Sequence, residues 1–246
     1  GSGKTKGVLV AWSKLMAKAN PDFVKQKVFF AHTSKEKAES LAKSTTFENN
    51  EFYDLEINGS EATRKISINE ALTMQKWDVI TVQQASAFSG MFETYEPYLT
   101  DLVAVVREKV PKAKIYFHET WSYEIGSLHE GFLNYNSNQK EMHLRIKEAS
   151  KKASDLINAD IIPTGDVVQF VRENIPEFDF KNGGISLCRD SFHLSENYGR
   201  FLAGAVWLKK LTGKTLKEQP FSNFDFLPKF CIFFPFFPLY YEEEKR

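Results

Sequence analysis

The chain has 246 residues, and its 32 Lys and Arg balance 32 Asp and Glu, so the formal net charge at pH 7 is zero. No basic excess points to nucleic acid or to an acidic membrane surface, and a composition of 42% hydrophobic and 26% charged residues excludes a disordered chain. Two cysteines, Cys188 and Cys231, give neither a metal spacing nor a disulfide framework, so no metal or cofactor is expected and the compartment is not legible.

The first residues show no charged-then-apolar leader, and the chain reads as a fragment, a processed form or a tagged sequence, leaving secretion of a longer precursor open. Gly1 to Thr5 spells GSGKT, the end of a phosphate-binding loop. The Gly five residues earlier and the preceding strand are missing, so nucleotide binding is not expected. Val8 to Ala19 has a helical apolar face of Val8, Trp12, Leu15 and Met16.

Four short β-branched or aromatic runs then alternate with amphipathic stretches. Lys27 to Ala31 (KVFFA) is the first expected strand, and Lys35 to Lys43 is a helix directly after it. Trp77 to Val82 (WDVITV) is the second strand, followed by a helix over Tyr95 to Lys109 with Leu99, Leu102, Val103 and Val106 on one face. Lys114 to His118 (KIYFH) is the third, followed by a long helix over Gln139 to Asn158. Ala159 to Pro163 (ADIIP) is the fourth, with helices over Asp166 to Asn174 and Glu196 to Leu211 after it. This alternation predicts an α/β domain over residues 1–217, with a parallel sheet between helices on both faces.

Residues 218–246 form a Phe- and Pro-rich tail. Its apolar part is shorter than the roughly 20 residues a membrane helix needs, and Pro228, Pro235 and Pro238 break any helix. The readings open for it are a strip over an apolar groove, a membrane-surface or partner contact, or a segment foreign to the domain.

Ligands of open parallel sheets bind at the carboxyl ends of the strands. That directs attention to His32-Thr33-Ser34, Gln83-Gln84-Ala85-Ser86, His118-Glu119-Thr120-Trp121 and the loop around Asp190. The strongest chemical signal is Asp190-Ser191-Phe192-His193, just before the last helix. A D-x-x-H step puts a carboxylate beside an imidazole on one turn, so the acid can fix the ring tautomer while the other nitrogen takes a proton. Histidine suits the task because it titrates near neutral pH.

With WDVITVQQASAFSGMFETYEPYLTDL and IYFHETWSYE, this run resembles the SGNH/GDSL hydrolase superfamily, in a bacterial branch that carries a domain-of-unknown-function label. The resemblance extends from about Val28 to Lys217 and is most specific from Trp77 to Gly213. It implies a flavodoxin-like three-layer α/β/α fold and a serine ester hydrolase, with an O-acyl carbohydrate as the plausible substrate. Asp190 and His193 would be its acid and base. An oxyanion donor would come from the end of the second expected strand, where Gln84 is the first choice and Gln83 the second. His118, Glu119 and Trp121 are expected substrate contacts, with Tyr123 and Phe132 completing a stacking wall. His129 and His143 are expected to be solvated.

The nucleophile block departs from the family pattern. Relatives have Gly-x-Ser after a first strand, and no strand precedes Ser2 or Ser13 here. Ser34 follows an expected strand and precedes a helix, which makes it the chemically sensible candidate. A chain without its nucleophile is the other expectation, and it gives the alternative reading of a non-catalytic ligand- or carbohydrate-binding protein on the same fold.

Overall fold

The structure, a computed structural model, describes residues 28–33, 53–55 and 64–213. The helices expected at Val8–Ala19 and Lys35–Lys43, the candidates Ser2, Ser13 and Ser34, and the tail lie outside the described residues.

Among the described residues, β1 (Val28–Thr33), β4 (Val79–Gln84), β5 (Lys114–His118) and β6 (Asp160–Ile162) form one parallel sheet, side by side in that order. The register pairs Thr33 with Gln84, Val82 with Phe117, and His118 with Ile162. Strand ends carrying the expected site residues therefore share one edge. β4 and β5 are near-continuous β-branched and aromatic runs because helices cover both faces of a parallel sheet. A small antiparallel pair, β2 (Tyr53–Asp54) and β3 (Lys65–Ile66), was not anticipated.

Alternation along the strands separates two cores. Ile80, Val82, Ile115 and Phe117 face Leu99, Leu102, Val103 and Val106 of α2 (Tyr98–Lys109), together with α1 (Ile68–Thr73) and α3 (Gln139–Leu156). Val79, Tyr116 and Ile162 face α4 (Thr164–Asn174) and α5 (Gly199–Thr212), where Val167, Val168, Leu202 and Trp207 are fully buried. The result is the three-layer α/β/α sandwich expected from the alternating pattern. A third cluster of Tyr123, Phe132, Tyr135, Met142 and Ile146 supports the loop that follows β5.

The helix starts follow their capping chemistry. Ser67 and Asn138 accept from the N–H groups of Glu70 and Glu141 and so cap α1 and α3. Helix α4 has no local side-chain cap. Its start is held instead by Glu119, whose carboxylate accepts the Asp166 N–H at 2.7 Å. Gly165 permits this approach, since a Cβ there would lie 2.0 Å from the Thr120 carbonyl oxygen.

Candidate active site

Asp190 and His193 lie on a hairpin between α4 and α5. Its arms are joined by the Arg189 N–H donating to the His193 carbonyl at 2.9 Å and the Ser195 N–H to the Leu187 carbonyl at 2.8 Å. Gly199, at the start of α5, lets the helix pack against this hairpin, because a Cβ would fall 2.2 Å from the Leu187 carbonyl oxygen.

The D-x-x-H spacing works through both carboxylate oxygens. Oδ1 of Asp190 accepts the backbone N–H groups of His193 at 2.7 Å and Phe192 at 3.4 Å. Oδ2 meets Nδ1 of the His193 ring at 2.6 Å. The same acid thus closes the turn and holds the imidazole, in the manner of an Asx turn. Ser191 takes a left-handed backbone with φ 69° to make the turn. Burial alone would raise the Asp190 pKa, but the hydrogen bonds from the ring and backbone of His193 outweigh it and lower it. The side chains of both residues remain reachable, at 39% and 24% exposure.

The segment after β5 holds this hairpin from below. Trp121 Nε1 donates to the Phe192 carbonyl at 2.8 Å, and the Glu124 N–H donates to the Ser191 carbonyl at 2.8 Å. The Ser191 and Ser127 hydroxyls are 2.9 Å apart. Trp121 is therefore not a stacking wall at the surface. It is 1% exposed, and its ring belongs to the core beneath α4 and α5. Tyr123 and Phe132 are equally buried. The ring that does reach the site is Phe192, half-buried, with its centroid 4.2 Å from that of His193 and 4.6 Å from that of His129.

His118 and Glu119 also depart from the expected substrate role, since they are 3% and 1% exposed. His118 Nδ1 is 2.6 Å from Gln83 Oε1, and Nε2 is 2.8 Å from the Thr164 hydroxyl. Burial pushes its pKa down to about 3, so the ring is neutral. An amide oxygen only accepts, so Nδ1 carries the proton and Thr164 donates to Nε2. Glu119 is spent on α4, and burial raises its pKa. His129 and His143 are not simply solvated either. His129 Nδ1 accepts the Gly131 N–H, and His143 Nε2 lies 3.3 Å from Asp166.

The two glutamines are engaged differently. Gln84 donates from Nε2 to the Thr94 carbonyl and hydroxyl, both at 3.2 Å, while its Oε1 accepts the Ala85 N–H. Both its amide protons are committed to the loop over 92–94, so Gln84 is a loop anchor. Gln83 has its oxygen held by His118, which turns its amide nitrogen away from that ring. Phe192 and Glu124 were not singled out from the sequence. Phe192 stood inside the D-x-x-H step itself, but nothing in the pattern around Glu124 distinguished it from a surface acid.

The chain matches the model of a domain of unknown function, DUF4886, over residues 39–226. It is similar to the crystal structure of a DUF4886 family protein from Bacteroides uniformis, with 34% identity, a TM-score of 0.65, and coverage of 77% of this chain and 71% of that one. More distant likenesses include a chain assigned as an SGNH hydrolase from Slackia heliotrinireducens, 20% identical over 58% of this chain and 71% of that one, with a TM-score of 0.45. An acetyl xylan esterase from Geobacillus stearothermophilus is 13% identical over 76% of this chain and 95% of that one, with a TM-score of 0.42. No curated protein matches. With the family match spanning more than half of its length, and the Bacteroides relative 34% identical over most of both chains, this chain belongs to the DUF4886 family.

Proposed function

We propose that the chain is an ester hydrolase in which Asp190 and His193 form the acid–base pair. The observation that carries this is the 2.6 Å contact between Asp190 Oδ2 and His193 Nδ1 on a solvent-reachable hairpin. Asp190, held ionised by its hydrogen bonds, fixes the Nδ1–H tautomer and stabilises the imidazolium that forms. Nε2 then takes the proton from an attacking hydroxyl and returns it to the departing alcohol oxygen.

Gln83 replaces Gln84 as the amide donor for the oxyanion. The protonated Nδ1 of His118 holds the Gln83 oxygen, so the amide nitrogen is the end of this side chain left to serve as donor. His118 then contributes by orienting Gln83 rather than by touching substrate. Ser34 is the nucleophile to test. It lies outside the described residues, but the preceding Thr33 ends β1 in register with Gln84. A small acyl ester, with an O-acetyl group on a carbohydrate as the specific case, is the proposed substrate, on the strength of the superfamily resemblance.

The test is hydrolysis of a chromogenic acetyl ester by the full chain beside His193→Ala and Ser34→Ala. A general base contributes about 10²- to 10⁴-fold, which is the loss expected for His193→Ala. Loss in Ser34→Ala as well assigns the nucleophile. Equal, background-level rates in all three would refute the esterase and leave a ligand-binding protein on this fold.

A further inference from the structure

The acid–base pair stands on a turn of unusual backbone, and a turn with a left-handed serine is stable only where its surroundings hold it. The residue that reaches both the tip and the incoming arm of this hairpin is Glu124. Its backbone N–H donates to the carbonyl of Ser191 at the tip. Its carboxylate Oε2 accepts from the Ser186 hydroxyl at 2.6 Å, and the Leu187 N–H also points at the carboxylate. Ser186 in turn accepts the Cys188 N–H at 2.9 Å, two residues before Asp190.

Glu124 is 2% exposed, and its Oε1 is buried without a hydrogen-bond partner. A buried carboxylate with an unsatisfied oxygen is costly. Burial raises the Glu124 pKa, and the Ser186 hydroxyl and the Arg172 charge work against that rise. Arg172, 5% exposed, sends Nη1 to the carbonyl and hydroxyl of Ser122 and Nη2 to Cys188 Sγ, so a buried cation accompanies the acid and also touches the hairpin. Packing alone would have been served by an apolar side chain. The acid is explained by the donors it gathers from the hairpin arm.

We infer that Glu124 is a positioning residue for the Asp190–His193 pair, clamping the tip of the hairpin through its backbone and the arm before Asp190 through its carboxylate. The inference rests on the reading of that pair as acid and base. Glu124 acts on the pair through the hairpin that carries it, by its hydrogen bonds to Ser186 and Ser191. Its effect passes through Ser186, Leu187 and Ser191, which fix where the Asp190 carboxylate meets the ring.

The experiment is proton NMR of the full chain, following the downfield Nδ1–H resonance of His193, assigned by its loss in His193→Ala. Acetyl-ester kinetics are measured on the same samples. In folded Glu124→Ala the resonance shifts and exchanges faster with water, and kcat falls about tenfold or more with KM changed less than about twofold, as expected for a misplaced catalytic group. Glu124→Gln, which keeps one carbonyl acceptor for Ser186 or Leu187, recovers part of both readouts. A folded Glu124→Ala with an unchanged His193 resonance overturns the inference. If Glu124→Ala does not fold, Ser186→Ala decides in its place: it removes the hydroxyl that joins the Glu124 carboxylate to Cys188, and an unchanged resonance there overturns the inference equally. If the wild-type chain hydrolyses no ester, the catalytic reading fails, while the resonance still reports whether Glu124 positions His193.

Discussion

Two pairs of histidine and acid lie at the carboxyl edge of this sheet, and they have opposite fates. His118 ends β5 and Glu119 follows it, beneath α4 and α5. They are almost fully buried, His118 held by Gln83 and Thr164 and Glu119 by the Asp166 N–H. Asp190 and His193 lie on a hairpin beside that edge, reachable by solvent and hydrogen-bonded to each other. Each is a histidine with a carboxylic acid. Burial and partners decide which is scaffold and which is available for chemistry. Desolvation keeps His118 neutral and Glu119 raised, whereas hydrogen bonds lower Asp190.

Substitutions can break this comparison. The largest stability loss is expected for His118→Ala, which opens a cavity beside Trp207 and leaves Gln83 and Thr164 without their buried partner. About 2–4 kcal/mol is expected by chemical denaturation. Gly165→Ala tests the framework role of Glu119. Its new methyl group would meet the Thr120 carbonyl and force α4 off its cap, costing about 1–3 kcal/mol. Trp121→Phe deletes the donor to the Phe192 carbonyl while keeping an aromatic in the core, and should cost about 1–2 kcal/mol.

The two acids sharpen the comparison through pH. Glu119 has its folded pKa raised, so its contribution to stability is fully present below the unfolded value of about 4.3 and is lost as pH rises through the folded value. The difference in unfolding free energy between wild type and Glu119→Gln should therefore move against the wild type from pH 4 towards pH 8. Asp190 has its pKa lowered, so its contribution is present above about 3.9 and lost as pH falls. Because Asp190 is 39% exposed, Asp190→Asn should change stability by no more than about 0.5 kcal/mol at neutral pH. A slope of the opposite sign for Glu119→Gln would mean that the acid is stabilised as an anion by the α4 N-terminus.

Much of the fold was legible in the sequence because the strands are compact β-branched and aromatic runs. Lys114–His118 was delimited to the residue, and Val79–Gln84 was displaced by two residues at each end. The β2–β3 pair and α1 were missed because two-residue strands and a six-residue helix carry too little periodicity to read. At the site, the D-x-x-H spacing encodes its own geometry, since a single Asp closes the turn and meets the ring. The roles of His118, Glu119 and Trp121 were not legible. His118, for example, is buried against Thr164 and Trp207, at sequence separations of 46 and more, which no local pattern reveals. The different engagement of Gln83 and Gln84 has the same origin. Neighbours on a strand point to opposite faces, and only the placement of His118 and Thr94 shows which amide is already engaged.

The central claim is that the exposed pair performs the chemistry and the buried pair builds the frame. Acetyl-ester hydrolysis and denaturation midpoints, measured together on wild type, His193→Ala and His118→Ala, test it most directly. His193→Ala is expected to lose about 10²- to 10⁴-fold in kcat/KM with its midpoint preserved, and His118→Ala to lose mainly stability. Hydrolysis that survives in His193→Ala at the wild-type rate would contradict it.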